Sequence, residues 1–128
     1  MKPTERTLKY LRDRGYRADM IERWIRNPKH PAGGFRKDYF GFGDILAFSD
    51  THTILVQSCG SAFSQHRSDM LANEVILEWV AMSARKAWLI GWRKLKLKRG
   101  GKALRWRPRV AEFYDHNGIL NCQEIEED

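Results

Sequence analysis

Apolar positions recur along the chain at two spacings, one suited to helices and one to strands, and they sort it into the order helix, strands, helix, strands. Over residues 4 to 14, Leu8 and Leu11 face inward with Tyr10 beside them; Thr4 stands as the N-cap and Gly15 as the stop. Residues 17 to 26 fit two patterns. Asp19 and Glu22 have capping-box spacing for a short helix, whereas Ala18, Met20 and Trp24 suit a strand. Asn27-Pro28 and Pro31-Ala32-Gly33-Gly34 mark residues 27 to 41 as a mobile loop.

Ile45-Leu46-Ala47-Phe48 and Thr53-Ile54-Leu55-Val56 read as buried strands. The polar turn Ser49-Asp50-Thr51-His52 is short enough to make them an antiparallel pair. The longest expected helix covers residues 64 to 82, where Leu71, Val75 and Trp79, with Ala72, Ile76 and Val80 alongside, form an apolar stripe. Ala87-Trp88-Leu89-Ile90 opens a further strand that runs on into a hairpin. This order predicts an α/β fold, a single mixed β-sheet flanked by helices. No repeat or linker divides the chain, so residues 1 to 121 are read as one domain. Residues 122 to 128, ending Glu124-Ile125-Glu126-Glu127-Asp128, are read as an acidic tail.

Charge changes this picture in one place above all. From Arg93 to Arg109 there are nine lysines and arginines and no acid. Gly100-Gly101 reads as a two-residue hairpin turn. Folding about it sets Arg99 against Lys102, Lys96 against Arg105 and Lys94 against Arg107, with Leu95 against Trp106 and Leu97 against Leu104. Like charges directly opposite each other cost roughly several tenths of a kcal/mol per pair. Such stacking points to an anion that covers it. Lys94, Lys96, Lys98, Arg99, Lys102, Arg105, Arg107 and Arg109 are therefore the expected nucleic-acid contacts, with Arg105 and Arg107 suited to bidentate phosphate binding. The competing reading is an edge hairpin protected from aggregation by its lysines.

The whole chain carries a net charge of +7 and a pI of about 9.7, a balance that favours a polyanionic partner. Hydrophobic residues make up 42%, five of them Trp, enough for a core without disulfides. Cys59 and Cys122 lie far apart and form no CxxC pair, which fits a reduced, cytoplasmic compartment. No apolar run approaches the roughly 20 residues of a membrane helix, so no membrane partner is expected. His30, His52, His66 and His116 lack the spacing of a zinc site, and neither a Gly-x-Ser-x-Gly elbow nor a Walker-type phosphate loop is present.

Candidate chemistry begins at Asp44. It opens one buried strand, and Gln57 closes the next. Paired as a hairpin, the two lie near the same end of the sheet. Oxygen ligands from neighbouring strands suit Mg²⁺, which can activate water and stabilise the departing oxygen of a phosphodiester.

On these residues the chain resembles the PD-(D/E)xK, or restriction-endonuclease-like, nuclease superfamily over roughly residues 4 to 110. Glu5-Arg6-Thr7-Leu8, followed by Leu11 and Gly15-Tyr16, is similar to the opening helix of archaeal-type Holliday-junction resolvases. Gly43-Asp44 takes the place of the family's Pro-Asp, and Gln57 that of the acid in (D/E)xK. The run from Arg36 to Asp44, with Leu55-Val56-Gln57 and Gly91-Trp92-Arg93-Lys94, also resembles small phage-encoded nuclease-like proteins.

The resemblance implies an αβββαβ core with a basic C-terminal β-hairpin. It also implies a metal-dependent endonuclease acting on DNA, branched DNA included, with Glu5, Asp44 and Gln57 around Mg²⁺ or Mn²⁺ and a homodimeric assembly. Cys59 departs from the pattern, standing where the family has lysine; Lys37 or Arg67 is the cation expected to reach the site in its stead. Two alternatives stay open. One is a DNA-binding relative that has lost catalysis; the other is a structural or inhibitory protein using its cationic surface on an acidic partner.

Overall fold

The computed structural model describes residues 1–125 of the 128. Its architecture is mixed α/β. Helix α1 (Pro3–Asp13) leads into β1 (Arg17–Met20), β2 (Arg23–Arg26), β3 (Gly34–Lys37), β4 (Ile45–Phe48) and β5 (Thr53–Cys59). Helices α2 (Phe63–Leu71) and α3 (Glu74–Trp79) then precede β6 (Arg85–Lys96), β7 (Leu104–His116) and β8 (Ile119–Ile125). Six strands form one mixed sheet in the order β1-β4-β5-β6-β7-β8, and β2 and β3 form a separate ribbon. The β5–β6 pair is parallel, its crossover made by α2 and α3; the other neighbours in the sheet are antiparallel.

Alternation along the strands gives each face of the sheet its own core. Ile45, Ala47, Ile54, Val56, Trp88, Ile90 and Trp92 pack with Tyr10 and Leu11 of α1. On the other face Leu55, Cys59, Ala87, Leu89, Ala111 and Phe113 pack with Phe63 and Met70 of α2 and Ile76 of α3. The β4–β5 pairing follows the sequence reading, with Ile45 opposite Val56 and Phe48 opposite Thr53.

Several expectations are corrected. Of the two readings of residues 17 to 26 the strand holds, as β1 and β2 separated by Ile21 and Glu22. The expected loop at 27 to 41 contains β3, because its alternating Phe35-Arg36-Lys37 pairs back on β2. The N-cap of α1 is Lys2 rather than Thr4, since Pro3 is favoured at the first helical position and the Glu5 carboxylate accepts the Lys2 amide. The long helix breaks at Asn73, whose side chain accepts from the Val75 amide at 3.0 Å and starts α3. Leu71 and Val75 consequently face solvent, while Met70 and Ile76 are buried. The expected domain boundary at 121 and 122 falls inside β8, where Asn117 and Gly118, both at positive φ, close a hairpin with β7. Of the expected acidic tail, Glu126, Glu127 and Asp128 lie outside the described residues.

The register of the cationic arm is also corrected. Lys96 faces Leu104, Leu95 faces Arg105, Lys94 faces Trp106 and Arg93 faces Arg107. The turn is Lys98-Arg99-Gly100-Gly101, closed by the Gly101 amide on the Lys98 carbonyl, with Gly100 at φ +77°. Lys102 then completes a five-residue loop inside the Leu97–Ala103 hydrogen bond. That loop is centred half a position from the expected turn, and the partner of every residue shifts by one. The pairs Lys96/Arg105 and Lys94/Arg107 do not form. Arg93 opposite Arg107 is the cationic pair that remains in the ladder.

Candidate metal centre

Asp44 stands just before β4, its amide donating to the Val56 carbonyl at 2.9 Å, which brings it beside Gln57 at the end of β5. Gly43 allows the approach, because a Cβ there would meet the Leu55 side chain at 2.5 Å. The Gln57 Nε2 donates to Asp44 Oδ2 at 3.2 Å and to the Ser58 carbonyl at 3.1 Å. Ser58 adds two donors to the same carboxylate, its amide at 3.1 Å and its Oγ at 2.9 Å. Thr4 of α1 touches the Ser58 hydroxyl at 3.2 Å, which ties the helix to this end of the sheet.

The β2–β3 ribbon brings two further acids. Arg23 pairs with Lys37, so Glu22 and Asp38 flank the open end of the ribbon. Both chain ends are fastened to the segment before β4: the Ile21 amide donates to the Asp44 carbonyl at 3.0 Å, and the Tyr39 amide to the Gly43 carbonyl at 2.8 Å. Oxygen atoms of Glu22, Asp38 and Asp44 then lie within 4.8 Å of one another. Burial raises Asp44 from its ordinary value to about 7. The Ser58 hydrogen bonds oppose the shift, and the charges of Asp38 and Glu22 add to it. Asp38 is raised too, by burial and by Glu22, against the pull of His66 and a hydrogen bond from Gln57.

Three carboxylates converge, two of them holding protons more tightly than usual, and Arg36 is paired with the third, Glu22. Hard oxygen ligands at this separation suit Mg²⁺ or Mn²⁺ in kind and number, with water and a phosphate able to fill the remaining positions.

The sequence candidates divide. Asp44 and Gln57 come together as expected. Glu5 is exposed, and its carboxylate takes the Lys2 amide at 3.1 Å, closing the helix cap. Lys37 is exposed on β3 opposite Arg23; Arg36 is the cation at the acids, its Nη1 2.8 Å from Glu22. Glu22, which the sequence reads as a cap or surface residue, and Asp38, which it reads equally as a loop charge or a group supporting the site, are the acids that join Asp44.

Cys59 is buried, and burial and Asp44 push its thiol up to about 11. It shares a row across the sheet with Gly91 and Arg109. Gly91 leaves space for Phe63, whose ring a Cβ would meet at 2.6 Å. The Arg109 guanidinium lies 4.1 Å from the Phe63 ring centre and pairs with Glu124 at 2.8 Å. Arg67 stands over the same ring at 5.8 Å. Cys59 and Cys122 are free thiols.

Because β6 runs parallel to β5 and continues past Gly91, the outer part of β6 and β7 leaves the sheet at the Asp44 end. Lys94, Lys96, Lys98, Arg99, Lys102 and Arg105 are exposed on this arm, and Arg107 is half-buried. Arg109 is committed to Glu124 and Phe63. No helix among the described residues is long and apolar enough to cross a membrane. Comparison with known protein families, curated proteins and solved structures gives no match.

Proposed function

We propose that this chain is a metal-dependent DNA endonuclease of the restriction-endonuclease-like plan, hydrolysing phosphodiester bonds with Mg²⁺ or Mn²⁺ held by Glu22, Asp38 and Asp44. The observation that carries the reading is the meeting of three carboxylates from separate elements within 4.8 Å, at the sheet end from which a cationic arm departs. With the β2–β3 ribbon set aside, α1, β1, β4, β5, α2–α3 and β6 follow one another in the αβββαβ order of that plan.

A divalent ion bound there would supply charge neutralisation at a scissile phosphate and acidify a water for attack. The chain's own residues do the rest. Gln57 fixes the Asp44 carboxylate through its amide nitrogen, which donates to Oδ2 at 3.2 Å. Ser58 holds Asp44 by two hydrogen bonds, favouring its ionised form. The basic C-terminal hairpin supplies backbone contacts through Lys94, Lys96, Lys98, Arg99, Lys102, Arg105 and Arg107, sequence-independent and weakened by salt.

Cleavage of linear, flap and four-way DNA in Mg²⁺ or Mn²⁺ tests the proposal. Charge stabilisation by a metal is worth several kcal/mol, so Asp44→Asn should lower the rate by about a hundredfold or more. Cys59 in the place of a lysine, with Arg109 engaged by Glu124, favours a second reading, a DNA-binding protein without catalysis. Salt-sensitive DNA binding with no metal-dependent cutting in the wild type would establish it over the first.

A further inference from the structure

A groove of about 700 Å³ runs between α1 and the cationic arm. Seven lysines and arginines line it, against one carboxylate, Asp13, which is already paired with Lys9 at 2.8 Å. In the groove lies Trp106, a large aromatic that the arm leaves 39% exposed. The observed register puts Trp106 beside Lys94, whose Nζ is 5.2 Å from the ring centre. Arg6 of α1 places its guanidinium 4.1 Å from the same ring. The ring thus already carries a flat group, the Arg6 guanidinium, while the neighbouring Trp92 turns inward to Tyr10 and donates to Thr7 at 2.9 Å.

We infer that this groove seats an unpaired stretch of DNA, with one base stacked on Trp106 and its flanking phosphates held by Arg6 and Arg105 of the lining. The inference rests on the reading of the partner as DNA and deepens it by naming the strand state. Cations alone would serve a duplex or an acidic protein equally well. An exposed aromatic ring among cations is the added element. It can accept the face of a base only when that base is free of its partner, and such stacking tolerates any sequence. A base arriving over Trp106 takes the place the Arg6 guanidinium now fills, and Arg6 moves onto phosphate, with no charge left unpaired.

The test is anisotropy of labelled oligothymidine, of a duplex of equal length and of polyglutamate, with the full chain in chelator so that cleavage plays no part. Wild type should bind the single strand tightest and polyglutamate weakest. Trp106→Ala should weaken oligothymidine binding by about tenfold and leave the duplex within about twofold, and Trp106→Phe should restore most of the loss. Arg6→Gln should lower the salt slope on oligothymidine by about 0.7, the share of one phosphate on a single strand. Thermal unfolding of each variant checks that the arm stays folded.

Equal loss on both strand forms in Trp106→Ala, no loss at all, or polyglutamate binding as tight as DNA would overturn the inference. Metal-dependent cleavage without strand preference would remove this inference and leave the nuclease reading standing. Strand-selective binding without cleavage would do the reverse.

Discussion

Asp44 sits between opposing influences, burial and neighbouring acids on one side and three hydrogen-bond donors on the other. Burial wins, and its pKa reaches about 7 against an ordinary 3.8. A native value above the unfolded one means that the folded chain binds more protons between those limits. Stability is therefore full below about 3.8 and falls as pH rises through about 7. Urea unfolding in chelator across this interval should show that decline, and Asp44→Asn should flatten it. A wild-type profile that rises over the same interval would contradict the assignment. Removing the Ser58 hydroxyl, 2.9 Å from Asp44, takes away support for the ionised form. In Ser58→Ala the decline should move to higher pH. A divalent ion competes with the same proton, so its affinity should grow up to about pH 7 and level off above it.

At the scale of elements, local chemistry explains both what the pattern foretold and what it missed. The β4–β5 hairpin follows from two apolar runs and one polar turn, and its strands pair antiparallel as read. The 64 to 82 stripe ran through Asn73 because apolar spacing carries no information about caps. Asn73 both starts α3 and donates to the Phe40 carbonyl at 2.9 Å, close to the metal centre. Asn73→Ala should cost about 1 kcal/mol or somewhat more by chemical denaturation, the usual loss of an N-cap.

Gly91 is a second such point. Valine there would drive Phe63 off the sheet, and overpacking of this kind costs about 1–3 kcal/mol. An unfolding midpoint equal to wild type in Gly91→Val would mean that Phe63 does not pack there. The Asn117-Gly118 turn was written in the sequence and signals β8 as strongly as Gly100-Gly101 signals the arm. The arm's own register depended on whether Lys98 or Arg99 begins the turn, a difference that alternation cannot resolve.

For the molecule as a whole, the coarse alternation of helix, strands, helix and strands was readable, and so was the approach of Asp44 to Gln57. The identity of the other acids was not. Glu22 and Asp38 reach Asp44 because backbone hydrogen bonds from Ile21 and Tyr39 tie both ends of the β2–β3 ribbon to residues 43 and 44. Nothing in the local pattern of either segment announces that closure. The opening helix, by contrast, offered Glu5 on the resemblance, and the Lys2 amide at the helix start claimed it.

The distribution of charge yields a prediction at this scale. Replacing Lys98, Arg99 and Lys102 at the arm tip with Ser should reduce the salt slope of duplex binding by about 2 to 3, one phosphate for each cation lost. An unchanged slope would place the DNA elsewhere on the surface.

Whether the ion is held where the fold gathers its acids can be read directly by titrating Mn²⁺ into the protein and following free Mn²⁺ by electron paramagnetic resonance. We expect wild type to bind the ion, Asp44→Asn and Asp38→Asn to lose it, and Glu5→Gln to keep it. Binding that survives both aspartate substitutions, or that vanishes with Glu5→Gln alone, would contradict this placement of the metal.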